Sequence, residues 1–319
     1  MQTVLGYFYV FLATLCWSMI GPLGRFSLDA GITPLETAFW RAGFGFVFFA
    51  AHAFITNKWR VPGRVAATFI AFGIPGIAGL FLTYMIGVKG AGSAMTSVLQ
   101  NGAAPVFVAF WGVLLFKERL SQWRIMAIVL AVIGVSLMCV SGGGLAEGAA
   151  WWGVAAGIAS GFCYSLHFCF GKKFLQSYSP ITLYMYILPA GALFMLPFVD
   201  FMPNKTMENW FYLALLALVT VWGGYQAYCE GLKRLEISRV GVLITFEPFI
   251  AAFFSWLWWG EQFSLLGWIG AVAIIFGIIL TTIERKPQDK KSQDKKTCCD
   301  KDEDCPAPGS DPGAGTANL

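Results

Sequence analysis

Residues 105–121 read PVFVAFWGVLLFKERLS, and residues 247–264 read EPFIAAFFSWLWWGEQFS. Pro105 stands thirteen residues before Glu118, and Pro248 thirteen before Glu261. The same offset of 143 carries Ser121 onto Ser264 and Gly134 onto Gly277. Upstream, an offset of 147 maps Gly6, Cys16, Ser18 and Gly24 onto Gly153, Cys163, Ser165 and Gly171. Between them, 144 maps Gly87 onto Gly231 and Lys89 onto Lys233. A Pro, a Glu, a Ser and a Gly aligning without a gap mark an internal duplication. In a membrane protein, a repeat of this length points first to a transporter.

The composition puts the chain in a bilayer. Hydrophobic residues make up 57% and charged residues 13%, with a mean hydropathy of +0.65, outside the range of soluble globular chains. The apolar runs resolve into ten spans, at 6–27, 35–56, 65–88, 92–114, 122–141, 150–171, 181–200, 209–230, 238–258 and 264–283. Each is near the ~20 residues that cross ~30 Å of hydrocarbon as a helix. The expected fold is an all-α membrane protein of ten transmembrane helices. Residues 1–141 form one repeat, 150–283 the second, and 284–319 a polar tail expected to be disordered and cytoplasmic. Five helices per repeat is an odd number, so the second copy should enter the membrane inverted. An inverted pair can rock about a shared site and open it to one face at a time.

The cations set the orientation. With a cytoplasmic N-terminus, the inner side carries Lys58, Arg60, Arg64, Lys117, Arg119, Arg124, Lys172, Lys173, Lys233, Arg234 and Arg239. The outer side then holds Arg25, Lys89 and Lys205. This asymmetry predicts cytoplasmic termini in the inner (plasma) membrane. Lacking a basic n-region and a small-residue cleavage site, the first span reads as a retained anchor. The net charge of +4 is accounted for by these loops and implies no nucleic-acid partner. Five of the eight cysteines lie in spans and three in the tail, which is no disulfide framework. The tail run Cys298–Cys305 lacks His and a second CxxC pair, so neither metal nor cofactor is expected.

At the two quoted stretches the chain resembles the EamA family of the drug/metabolite transporter superfamily, whose pattern is Pro, an apolar run, then Glu-Arg-Leu-Ser. The Arg41 region, Phe39-Trp40-Arg41-Ala42, and the Gly134 and Gly277 regions also match. The second copy departs mildly, with Gln262 and Phe263 after Glu261. The resemblance covers roughly residues 6–283 and implies a ten-helix fold with a central cavity lined mainly by helices 1–4 and 6–9. It leaves the substrate open among amino acids, sugars and other metabolites.

Candidate site residues are the polar groups within spans. Glu247 lies near mid-bilayer, where an ionisable group must be paired, face water or work in transport. It can carry a proton, pair with a substrate ammonium, or cap a helix break beside Pro248. Arg41 can bind a carboxylate bidentately or serve as a structural counter-ion to Glu36 or Glu247. Gln100 and Asn101 hold a polar substrate without a buried charge, or glue helices together. Tyr84, Tyr225, Gln226 and Tyr228 read equally as cavity-lining or packing residues. Trp17, interior to its span, can line an aromatic pocket. His52 and His167 read as hydrogen-bonded or interfacial rather than as proton carriers. Glu118 and Glu261 read as a structural pair, each bonding backbone donors at the start of the next helix. Gly153, Gly157 and Gly161 form a small-residue packing face, while Pro75 and Pro189 should kink their helices.

The function expected is secondary active export of a small polar or amphipathic metabolite, an amino acid or related compound, by alternating access. Facilitative uniport or channel activity, or a drug- or sugar-type carrier, is the alternative. No nucleotide-binding loop occurs in the sequence, which leaves gradients, protons among them, as the energy source. An enzyme is disfavoured for want of a catalytic cluster at one membrane face. The expected partners are the metabolite and the bilayer, with a homodimer left open.

Overall fold

The computed structural model of the chain describes residues 2–141, 150–259 and 264–283. Glu261 and the 284–319 tail lie outside them. The regular structure of the described residues is all helical, without a strand. In hydrocarbon the backbone must satisfy its own hydrogen bonds, and a run this apolar does so as a helix. In chain order the helices are α1 (Gln2–Asp29), α2 (Pro34–Ile55), α3 (Gly63–Ala91), α4 (Ser93–Phe116) and α5 (Gln122–Ser141). They continue as α6 (Trp151–Phe174), α7 (Pro180–Phe198), α8 (Met207–Arg234), α9 (Ile237–Trp258) and α10 (Leu265–Ile283).

Eight of these are long and apolar enough to cross a membrane; α5 and α10 are apolar over the shorter stretches Gln122–Leu137 and Leu265–Leu280. The helix starts carry their own signals. Thr33, Ser179 and Thr206 each accept a hydrogen bond from the backbone N–H three residues on, with Pro34 and Pro180 in the first helical turn.

Two helices are interrupted by π-helical turns, Ile74–Gly79 in α3 and Ala217–Gly223 in α8. The first contains Pro75, where an interruption is expected. The second has no proline. Conversely, α7 keeps its α-helical conformation from Pro180 to Met195, straight through Pro189. A proline removes one i→i−4 bond, and the helix resumes around it where neighbouring helices pack closely. Two further breaks lie at Met19 in α1 and at Thr245–Phe246 in α9.

The helices pair as α1 with α8, α2 with α7, and α6 with both α3 and α4. Glycines set the closest approaches: a Cβ on Gly153 would meet the Gly90 carbonyl carbon at 2.5 Å, and one on Gly161 the Gln100 oxygen at 2.8 Å. The small-residue face of α6 therefore packs on α3 and α4. The two π turns are tied to the partner helix in the same manner. The Trp17 Nε1 donates to the Thr220 carbonyl at 2.9 Å, and the His167 Nε2 to the Gly76 carbonyl at 2.5 Å. A π turn departs from the regular i→i−4 ladder, and in both helices a ring N–H from the facing helix bonds a carbonyl within the turn.

Candidate functional site

A cavity of about 490 Å³ lies between the helices, within the usual size of a small-molecule site. Its lining runs from Trp17, Tyr164 and Tyr225, in the middle of their helices, to Leu28, Pro34 and Val88 beside the α1–α2 and α3–α4 turns. Most of the wall comes from the second halves of α1 and α3 and the first halves of α2 and α4. The helices α6, α8 and α9 contribute Tyr164, Tyr225 and Glu247.

Among the described lining residues, Arg41 and Glu247 carry the charge. Glu247 opens the second segment of α9, directly after the Thr245–Phe246 break. The break exposes the first turn of a helix to the cavity, where a carboxylate meets the positive end of the helix dipole. Glu247 makes no hydrogen bond or ion pair among the described residues, and it feels Arg41 through space. Arg41 likewise forms no ion pair among the described residues. Its guanidinium carbon sits 5.8 Å from the centroid of the Phe81 ring, and its buried Nε has no hydrogen-bond partner. One turn before it on α2, the Thr37 hydroxyl is also buried and unpartnered. Leaving such groups unsatisfied costs roughly 1–3 kcal/mol each.

Glu36, the nearer candidate counter-ion for Arg41, is engaged elsewhere. It is fully buried and pairs with Lys205 at 2.5 Å. It also accepts from Trp40 Nε1 at 3.1 Å and from the Met202 N–H at 2.9 Å. The rings of Trp40, Phe201 and Trp210 surround the Lys205 ammonium at 5.8, 5.9 and 5.3 Å.

The cavity brings together Trp17, Arg41, Tyr84, Gln100, Asn101, Tyr225 and Glu247. Gln226 and Tyr228 do not line it. Gln226 Nε2 lies 3.4 Å from His52 Nδ1, across the α2–α8 contact. Tyr228 is 1% exposed and packs between Trp17 and Phe168. On a helix the period of 3.6 lets Tyr225 face the cavity while its neighbour turns away. The floor is aromatic: Tyr225 stacks on Tyr184 at 4.2 Å and meets Trp17 edge-on at 5.6 Å. Ser97, which bonds Tyr84 Oη at 2.8 Å, also lines the wall. Thr37, Tyr164 and Ser97 escaped the sequence reading, since hydroxyls are common in apolar helices and carry no periodic signal.

Of the signature carboxylates, Glu118 accepts from the Ile237 N–H at 2.7 Å and the Ser238 N–H at 3.2 Å. It does bond backbone donors at a helix start, as its type suggested, but the helix is α9 rather than the next one, α5. Glu261 lies outside the described residues.

The sequence model of the EamA-like transporter family matches residues 4–140 and again 151–283. The chain belongs to the EamA-like transporter family. Its EamA relatives include an uncharacterized transporter of Archaeoglobus fulgidus, 26% identical over 82% of this chain and 92% of that one. They also include the uncharacterized transporter YdfC of Bacillus subtilis, 24% identical over 86% and 90%. The uncharacterized inner membrane transporter YicL of Salmonella typhimurium is 22% identical over 69% and 74%. A protein crystal structure superposes with a TM-score of 0.75 at 19% identity, over 88% of this chain and 96% of that one. This is thus a multi-span membrane protein of a transporter family, its two EamA matches meeting at the cavity.

Proposed function

We propose that this EamA-family chain is a secondary active transporter that exports a small polar or amphipathic metabolite, an amino acid or related compound, by alternating access. The observation that carries the reading is the cavity itself. Opposite charges, Arg41 and Glu247, face one aromatic-floored space without pairing with each other. Unpaired charges at this depth are costly, and a dipolar substrate offers each a partner, with a proton on Glu247 as the alternative to the substrate cation. Gln100, Asn101 and Tyr84 add neutral hydrogen-bonding groups to the lining of the same cavity.

In this reading α5 and α10 complete ten crossings, and residues 1–141 and 150–283 are inverted five-helix repeats. In support, α1 starts beside the end of α8, Gln2 meeting Arg234 at 3.3 Å, while α6 starts beside the end of α3, with the Ala150 N–H on the Gly90 carbonyl at 2.8 Å. In this reading, which the cation count supports, both termini lie in the cytoplasm of a cell bounded by this inner membrane, and the cavity faces outward. The tail beyond 284 is dispensable for transport in this view.

Reconstitution in proteoliposomes tests the reading. A panel of amino acids and related metabolites is assayed with and without a proton gradient, for wild type, Glu247→Gln, Arg41→Gln and the double variant, alongside thermal stability. We expect gradient-driven transport by wild type and its loss in both single variants, which remain folded. Wild-type transport by a stable Glu247→Gln protein would falsify the role of the carboxylate. Two unstable single variants rescued by the double one identify a structural ion pair instead.

A further inference from the structure

At the end of the molecule away from the cavity mouth, the α4–α5 turn meets the α8–α9 turn in a polar cluster in which Arg124 and Ser238 are buried and Glu118 and Glu236 half-buried. Besides capping α9 with its carboxylate, Glu118 accepts a hydrogen bond from Ser238 Oγ at 2.6 Å. The same hydroxyl accepts from Arg124 at 3.1 Å. The Arg124 side chain, 3% exposed, also pairs with Glu236 at 2.8 Å. Glu236 holds Arg239 at 3.1 Å, and Arg239 donates to the Tyr7 hydroxyl of α1 at 3.1 Å. From α6, Lys172 donates to the Leu232 carbonyl at 2.8 Å and to that of Leu235. Five helices are thus joined across the boundary between the two EamA matches.

Between this cluster and the cavity floor lie Tyr184, Tyr228 and Phe168, each 1% exposed. The pathway is therefore plugged by packed rings and sealed beyond them by charge. Such a cluster is a poor way to add stability, because desolvation offsets most of what pairing gains. It is a good way to make a reversible closure. Every member stands at or near a helix end, so parting the turns hands each charge to water rather than to hydrocarbon. The mouth is built differently: Arg25, which the repeat aligns with Lys172, pairs with Asp29 of its own helix at 3.9 Å, both well exposed.

We propose that the cluster of Glu118, Arg124, Glu236 and Ser238 is the gate that closes the pathway at the end opposite the cavity mouth, and that it parts when substrate passes there. The proposal rests on the alternating-access reading. The test uses a cysteine-depleted full chain in vesicles, with Met85→Cys in the cavity wall as reporter and a membrane-impermeant maleimide applied to either side. Arg124→Gln and Glu236→Gln each remove one arm of the gate. We expect either to raise reporter labelling from the gate side about fivefold, the worth of a lost hydrogen bond of ordinary strength. The charge-reversed pair, Arg124→Glu with Glu236→Arg, should bring labelling back toward wild type. Ser238→Ala, which removes the shared hydroxyl with little disturbance, is the milder variant if either of the others fails to fold. Labelling of wild type from both sides, with a gate-side rate unchanged in folded variants, overturns the gate and leaves alternating access standing. Gate-side labelling absent from every variant and from a wild type that transports overturns alternating access itself.

Discussion

Gly24 and Gly171 occupy the same position of the repeat, 147 residues apart, and their surroundings are opposite. A Cβ on Gly24 would meet nothing within 4 Å, whereas one on Gly171 would meet a Leu232 methyl at 2.8 Å. Nearer the starts of the same helices the contrast disappears. Gly6 and Gly153 are both crowded, at 2.9 Å from Leu235 and 2.5 Å from the backbone of Gly90. The helices α1 and α6 therefore begin alike and end differently. The end of α1 lines a cavity on one face while Phe26 stacks on Tyr212 of α8 at 4.6 Å; the end of α6 is packed and pinned through Lys172. What differs is conformation, superimposed on a sequence that treats the two ends alike.

Bulky substitution separates the two surroundings most sharply. Gly24→Trp should lower transport at least about tenfold by filling the mouth, while shifting stability by no more than about 0.5 kcal/mol. Gly171→Leu should instead lose about 1–3 kcal/mol of stability through overpacking. Paired transport and thermal-unfolding measurements decide the matter, and equal effects at both positions break the contrast. The π turns should respond alike, because the ring N–H is supplied in both. His167→Phe strands the Gly76 carbonyl and Trp17→Phe the Thr220 carbonyl, each for roughly 1–3 kcal/mol by thermal unfolding. A large loss at one site alone would show that the symmetry of the two turns is only apparent. The smallest effect is expected from Gly24→Ala, which should stabilise by about 0.5–1 kcal/mol, since alanine favours a helix and the space is open.

The duplication, the helices and the polar wall of the cavity were legible because each rests on local chemistry. A Pro–Glu spacing, a 20-residue apolar run, or an Arg41 amid Phe and Trp announces itself wherever the chain folds. Partnerships were not legible. Glu36 is one turn from Arg41 along α2, yet it pairs with Lys205, 169 residues on. Glu118 precedes α5 and caps α9. Both choices are made by helix packing, which sequence spacing does not encode. Proline was an unreliable guide for a related reason. The α8 π turn forms without one and α7 stays α-helical through Pro189, while both π turns receive a ring N–H from the facing helix.

The helix α2 is fastened at both ends to the second EamA match. At one end Glu36 holds Lys205 and the Met202 backbone; at the other the Lys58 carbonyl takes the Thr182 hydroxyl at 2.5 Å and the Trp59 carbonyl takes Tyr186 Oη at 2.7 Å. Fastened so, α2 is packed on α7, just as α1 is packed on α8 and α3 on α6. The two EamA matches are therefore not two separate bundles: each of these helix pairs is a mosaic assembled from both, and this packing runs across the repeats instead of within them.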